Sequence, residues 1–365
     1  MTQLTEFEFE CLNVLIERTL KTRGSQYPNP AVGAMVIKAD QIISEGYHTL
    51  AGTSHAEAIA IEKATPLTDG ATLLITLEPC CHKGKTPPCV DRIIESNIRR
   101  VIWAIDDPNP KVYGKSKAIL KRNGIDVIDN ILSEKGQALI KEFYEFHTNK
   151  RPFVYVKSAM SLDGFISPNS TGLNYISNPK TLHLVHELRT CVQAICVGVN
   201  TINVDQPRLS VRLENRLTDF QPIIVIIDPH QKLDYDWVLN ALNQGRKIIV
   251  FSKTKGVFEA KNFHFYPTLT DDKSQNWSII LATLYEHNIQ GVLVEGGASI
   301  FHSILNAGAF HELWVTKVPA LFKSEGAVPF IDSDFHSTLD LSLIQVDQFD
   351  DDVVMRYKNN HAFYD

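Results

Sequence analysis

The hydrophobic pattern of this chain alternates between helical and extended spacing, breaks off near residue 150, and then begins again; that restart constrains the fold more than any other feature. Residues 6–22 carry apolar side chains at helical spacing (Phe9, Leu12, Ile16, Leu20). Two short apolar runs, 31–37 and 42–46, follow with a Lys-Ala-Asp-Gln turn between them. Helices are expected from about Ser54, Pro88, Lys115 and Ser133, interleaved with strands at 72–77, 101–105 and 125–128. Such alternation folds into a mixed or parallel sheet with helices on both faces. After Thr148-Asn149-Lys150-Arg151-Pro152 the pattern resumes with a strand at 153–160 and a Ser161-Leu162-Asp163-Gly164 turn. Further strands are expected at 194–199, 222–227, 247–251, 291–294 and 312–318, with helices near 178–189 and 298–307. The chain reads as two α/β domains, 1–147 and 148–365.

A length of 365 residues agrees, being long for one domain and comfortable for two. The net charge of −6 leaves no basic excess to neutralise phosphates, which argues against a nucleic-acid partner. No apolar run approaches the ~18–20 residues that span a bilayer, and the first residues lack the pattern of a signal peptide. Of the six cysteines, Cys80, Cys81 and Cys89 crowd into one short segment. That suits a metal site in a reducing compartment better than a disulfide framework. A cytoplasmic protein without a membrane partner is expected.

The sharpest chemical signal is Ser54-His55-Ala56-Glu57-Ala58 followed by Glu78-Pro79-Cys80-Cys81-His82-Lys83-Gly84-Lys85-Thr86-Pro87-Pro88-Cys89. Zinc takes nitrogen and sulfur ligands, and a catalytic site keeps one of four positions open for water. His55, Cys80 and Cys89 supply three ligands, the cysteines close to the N-terminus of the helix expected from Pro88, where peptide dipoles favour thiolates. Glu57 opens the same helix as His55 and is not needed as a ligand; its natural role is to shuttle a proton from water to a ring nitrogen and a leaving amine. Cys81 or His82 as a fourth ligand would instead make the site structural. Zinc deaminases carry H-x-E and P-C-x-x-C, whereas eight residues separate Cys80 from Cys89 here.

The longer spacing is informative. Residues 79–89 closely resemble the P-C-x-H-x-G-[KR]-T-P-P-C loop of the bifunctional deaminase/reductases of riboflavin biosynthesis, which act on diaminohydroxyphosphoribosylaminopyrimidine. Tyr27-Pro28-Asn29-Pro30-Ala31-Val32-Gly33, Gly46-Tyr47-His48 and Asp107-Pro108-Asn109-Pro110 resemble further segments of that family in the same order. The resemblance implies a cytidine-deaminase-like α/β/α first domain in which Asn29, His48, His82 and Lys85 contact the ring and phosphoribosyl group of the substrate. Taken singly, Lys85 reads as a solvated loop lysine and His48 as a turn histidine; the joint pattern outweighs that.

The resemblance continues through the second half, implying a dihydrofolate-reductase-like α/β domain that uses NADPH to reduce the ribosyl side chain to ribityl. Arg151-Pro152-Phe153 through Asp163-Gly164 is similar to the opening strand and turn of the family's reductase. Residues 201–212 resemble its T-x-x-x-D-[DN]-P-x-L-x-x-R segment, and Val294-Glu295-Gly296-Gly297-Ala298 its phosphate loop. Independently of the family, a Gly-Gly pair between strand and helix lets backbone N–H groups approach a pyrophosphate. The resemblance sets Ala159, Tyr175, Thr201, Asp205, Gly296 and Gly297 at the cofactor, and Arg189, Leu209, Arg212 and Glu295 at the substrate. Asp205 is the candidate proton donor or relay for hydride transfer. Tyr175 stands where the family usually has Trp, Leu173 where it often has Ser, and Pro229 where a small polar residue is common. A homo-oligomer, dimer or tetramer, is expected.

Two other readings share part of this pattern. A nucleic-acid or nucleoside zinc deaminase with a nucleotide-binding appendage predicts a short Cys-x-x-Cys and a basic surface, both missing here. A zinc-stabilised, non-enzymatic module predicts four protein ligands.

Overall fold

Strands in the first half carry apolar side chains on both faces, so they form a sheet only when helices cover each side. The computed structural model describes residues 3–84, 87–169, 176–214, 219–323, 325–331, 335 and 337–363. It divides into two units, Met1–Lys150 and Arg151–Asp365. The first contains α1 (Glu6–Leu20), β1 (Gly33–Lys38), β2 (Gln41–Tyr47), α2 (Ala56–Ala64), β3 (Thr72–Ile75), α3 (Cys89–Glu95), β4 (Arg100–Trp103), α4 (Lys115–Arg122), β5 (Asp126–Ile128), α5 (Ser133–Leu139) and α6 (Lys141–Asn149). Its strands pair in the order β2-β1-β3-β4-β5. The β2–β1 and β1–β3 pairs are antiparallel, β3–β4 and β4–β5 parallel. Alternate residues separate the two cores: Ala34, Val36, Leu73, Ile75, Val101 and Trp103 face α2, α3 and α4, whereas Met35, Ile37, Leu74 and Ile102 face α1. The start of α1 is fixed by a reciprocal Thr5–Glu8 capping box. The unit ends where α6 gives way to Lys150 in the left-handed region.

The second unit contains β6 (Phe153–Ser161), β7 (Phe165–Ser167), α7 (Pro179–Thr190), β8 (Ala194–Gly198), α8 (Val199–Asp205), β9 (Ile223–Ile227), α9 (Tyr235–Asn243), β10 (Ile248–Phe251), β11 (Phe263–Tyr266), α10 (Lys273–Glu286), β12 (Gly291–Val294), α11 (Ala298–Asn306), β13 (Glu312–Val318), β14 (Val328–Pro329), β15 (Leu341–Phe349) and β16 (Asp352–Asn359). Nine strands pair in the order β11-β10-β9-β8-β12-β6-β13-β16-β15, with β7 and β14 forming a separate small pair. From β11 to β13 the sheet is parallel. The β15–β16 hairpin then extends it antiparallel to β13. Ile249, Phe251, Val292 and Val294 pack toward α10 and α11, and Ile248, Val250, Ile224 and Ile226 toward α9. The hairpin also anchors α7. The buried Asp352 accepts the Asn178 N–H (2.8 Å) and the Thr181 hydroxyl (2.9 Å), while the Asn178 amide donates to the Phe349 carbonyl (2.6 Å).

Candidate active sites

His55 is the N-cap residue of α2 and makes no side-chain capping bond; its ring is turned instead toward the cysteines beyond β3. There its Nδ1 lies 3.2 Å from Cys89 Sγ and 3.5 Å from Cys80 Sγ. Cys89 opens α3, and its N–H donates to Cys80 Sγ (3.4 Å). The ligand atoms of the three residues all lie within 4.8 Å of one another. A tetrahedral ion with bonds of about 2.0 Å to nitrogen and 2.3 Å to sulfur separates N from S by roughly 3.5 Å, close to both N–S separations here. Neither Cys81 nor His82 joins the group: the Cys81 thiol is turned to the Lys111 carbonyl (3.9 Å), and His82 is exposed. The hydrogen bond from Cys89 holds Cys80 down at about 4, as a thiolate, and the same bond pushes the Cys89 thiol up.

Glu57 is 3% exposed beside this cage. Burial, and then the charge of Cys80, raises its carboxyl above the usual range. His48, also buried, lies edge-on to His55 with ring centroids 5.3 Å apart. Its Nδ1 meets the Ser54 carbonyl (3.2 Å), which assigns the proton to Nδ1 and leaves Nε2 to accept from the Asn29 amide (3.1 Å). Burial lowers the His48 pKa, so the ring is neutral. Asn29, His48, His55, Glu57, Cys80 and Cys89 thus lie around one centre; Lys85 lies outside the described residues. One residue sequence reasoning missed is Glu78. Its buried carboxylate accepts the N–H groups of Asp107 (3.4 Å), Gly114 (3.0 Å) and Ser116 (3.2 Å). It thereby clips the turn after β3 to the loop that enters α4. Burial pushes Asp107, in that loop, up to about 7.

In the second unit the turns after the neighbouring strands β8 and β12 meet. Gly296 has φ +132°, and a Cβ there would come within 3.0 Å of Thr201 Oγ1 and 3.8 Å of the Gly198 nitrogen. At Gly297, the N-cap of α11, a Cβ would meet nothing within 4 Å. This gives an open cradle of main chain at two helix starts, which fits a pyrophosphate. Asp205 ends α8, half-buried, and burial raises its carboxyl. Glu295 is bound by Arg189, with Nη2–Oε2 at 2.6 Å and Nε–Oε1 at 3.1 Å. The Arg189 and Lys157 charges offset the effect of burial and bring the Glu295 pKa below its ordinary value. Lys157 is a second residue that sequence reasoning missed: it projects from β6 among Glu295, Arg189 and Asp352, and burial lowers its pKa. A cation inside the apolar run Phe153-Val154-Tyr155-Val156-Lys157 was the available signal. Arg189 also donates to the Ser210 carbonyl (3.0 Å), and the exposed Arg212 reaches the Ser210 hydroxyl (3.1 Å). The Leu209 side chain is in the core, so only its main chain is available to a substrate. Ala159 lies on β6; Tyr175, like Leu173, is outside the described residues.

Residues 11–105 match the family described as the cytidine and deoxycytidylate deaminase zinc-binding region, and residues 152–355 match the RibD C-terminal domain. The chain is therefore an enzyme of two halves, a deaminase and a reductase. It is 36% identical to riboflavin biosynthesis protein RibD of Bacillus amyloliquefaciens over 92% of this chain and 91% of that protein. It is 34% identical to the Aquifex aeolicus RibD over 87% and 88%. Among solved structures, Acinetobacter baumannii RibD superposes with a TM-score of 0.84 at 29% identity, covering 97% of this chain and 100% of that one. The Thermotoga maritima diaminohydroxyphosphoribosylaminopyrimidine deaminase/5-amino-6-(5-phosphoribosylamino)uracil reductase gives 0.81 at 32% identity, covering 96% and 99%. The chain belongs to the RibD family of bifunctional deaminase/reductases in riboflavin biosynthesis. Among the described residues no helix is long and apolar enough to cross a membrane.

Proposed function

We propose that the first unit removes an exocyclic amine from a phosphoribosylamino-diaminopyrimidine at a zinc ion held by His55, Cys80 and Cys89, and that the second reduces the ribosyl side chain with NADPH. The observation that carries this reading is the three-ligand cage with the buried Glu57 beside it and no fourth protein ligand among the described residues. Zinc, when bound there, brings the pKa of water toward neutrality. Glu57, whose affinity for a proton burial raises, would in its ionised form accept a proton from water and release it to the ring nitrogen and the departing amine. Asn29 and the neutral His48 orient the ring through their mutual hydrogen bond. The cation Lys85 and the exposed His82 would meet the phosphoribosyl group.

In the second unit NADPH supplies the hydride. Gly296, Gly297 and Thr201 would hold its pyrophosphate, Ala159 and Tyr175 would be further cofactor contacts, and Asp205 would deliver the proton that balances hydride addition. Arg189, Arg212 and the main chain at Leu209 bind the sugar phosphate, a task for which a planar guanidinium is suited. Glu295, already aligned by Arg189, holds a substrate hydroxyl. The chain pairs with a second copy along β15, the open edge of the large sheet, where Leu343, Ile344 and Val346 are each more than half exposed.

Single substitutions test the two-centre reading. Glu57→Gln keeps size but removes the ionising group, so deamination falls by about 10²–10⁴-fold while reduction of deaminated substrate persists. Asp205→Asn does the reverse, abolishing NADPH oxidation and sparing deamination. Mixing the two variants restores the complete conversion through diffusion of the intermediate. Loss of both activities from either substitution would show a shared centre and defeat the reading.

A further inference from the structure

Arg246 follows α9 and is only 5% exposed, yet no carboxylate among the described residues pairs with it. Its guanidinium donates to three backbone carbonyls: Nη1 to Arg208 (2.8 Å), and Nη2 to Leu209 (2.7 Å) and Pro222 (2.9 Å). Burying a cation is costly unless hydrogen bonds replace its water; two of these bonds fall on one short loop and the third on Pro222 ahead of β9, while the buried Nε has no partner among the described residues. That loop, 206–212, needs outside support. Gln206 (φ 46°) and Leu209 (φ 45°) both adopt the left-handed region, which disfavours a side chain by about 1–2 kcal/mol per residue.

The loop has two sides. On the scaffold side, Asp234 at the N-cap of α9 accepts from Gln206 (2.9 Å), the Trp237 indole donates to the Pro207 carbonyl (3.3 Å), and Arg246 takes the next two carbonyls. On the other side, the Ser210 carbonyl accepts from Arg189 (3.0 Å), and the Arg212 N–H donates to His186 Nδ1 (3.3 Å). Arg246 is itself fixed by its N–H to the Ala241 carbonyl (3.1 Å). Burial, and then the Arg189 charge, lowers its pKa to about 10, leaving it charged at neutral pH.

We infer that Arg246 is a positioning residue of the reductase: it never reaches the substrate, but sets the carbonyls and amides of 208–212 at the height where Arg189 and Arg212 grip the sugar phosphate. Lysine does this only in part, because one ammonium has no planar fork to span neighbouring carbonyls. The inference rests on the reading above that this loop and Arg189 form the substrate-binding edge.

The test is steady-state reduction of deaminated substrate by the full chain, comparing Arg246→Met, Arg246→Lys, Trp237→Phe and, as control, Arg189→Met. Arg246→Met is expected to raise the KM for substrate by at least about tenfold with kcat within about threefold, the pattern of lost uniform binding. The KM for NADPH stays near wild type. Arg246→Lys lies between the two. Trp237→Phe, which keeps an aromatic side chain but removes the indole N–H donor together with the pyrrole ring, shifts the same KM less; with Arg246→Lys it carries the test if Arg246→Met does not fold. A fall in melting temperature with both KM values unchanged, or with both moved together, overturns the inference and leaves Arg246 a support of the fold alone. If Arg189→Met raises the substrate KM while none of the loop variants does, the site reading stands and the role of Arg246 falls. If Arg189→Met also leaves that KM unchanged, the site reading itself fails, and the inference with it.

Discussion

The His186 ring lies one helical turn from Arg189 on α7, with Nδ1 accepting the Arg212 N–H, so its proton sits on Nε2. Burial, followed by repulsion from Arg189 and Arg212, lowers its pKa from 6.5 to about 4. The unfolded chain binds this proton below pH 6.5, whereas the folded chain binds it only near pH 4. Stability therefore falls as pH drops through that window, and the group contributes no pH dependence above it. His186→Gln removes the term. In denaturant titrations of the full chain, the reductase transition of the variant should move less than that of wild type between pH 7 and pH 5. Equal displacement of both would show that the ring is not held neutral. Residue chemistry was only partly legible in the sequence. His55, Glu57, Cys80 and Cys89 stand out because ligand chemistry demands those types close together. Lys157, His186 and Arg246 do not, because each acts through partners from distant segments, and nothing near Arg246 in sequence announces the carbonyls of 208, 209 and 222.

At the scale of elements, the turn between β12 and α11 is the most exposed to a small change. Gly296→Ala puts a Cβ into a backbone with φ +132° and against Thr201 Oγ1 at 3.0 Å. A cost of at least about 1–2 kcal/mol follows from the backbone alone, and the turn must shift to relieve the contact. NADPH affinity, followed by fluorescence titration, should weaken while deamination is unchanged; an unaltered dissociation constant would remove Gly296 from the cofactor site. The same comparison shows which elements a pattern can reveal. Buried strands such as β8, β9 and β12 are near-continuous apolar runs and read plainly. The short helix α8 is rich in Asn, Thr and Val, weak helix formers, and follows β8 without a break, so it reads as loop. The edge strand β15 is exposed along most of its length, and without a buried face it has no period of two to find.

For the whole molecule, the proposed pairing of two copies runs through the exposed edge strand of the large sheet. A free strand edge bearing Leu343, Ile344 and Val346 is poorly suited to lie against water. Val346→Lys, alone or with Leu343→Lys, adds charge where a second copy would pair and should convert the assembly to monomers in sedimentation velocity. An unchanged sedimentation coefficient would assign the interface to another surface. The two-unit plan itself was legible, since the patterning restarts; the exposed edge was not, because an exposed apolar strand looks like any other surface segment until its place in the sheet is known.

The anchoring of α7 by Asp352 and Phe349 carries a consequence for how the protein is made. Every strand of the first sheet is synthesised before Lys150, whereas the helix bearing Arg189 takes its hold from a hairpin that emerges last. At roughly 5–20 residues per second, the roughly 200 residues in between occupy the ribosome for about 10–40 s. Over that interval every strand of the first sheet is available to pair while α7 still lacks its anchor, and a chain cut short before Phe349 would never gain it.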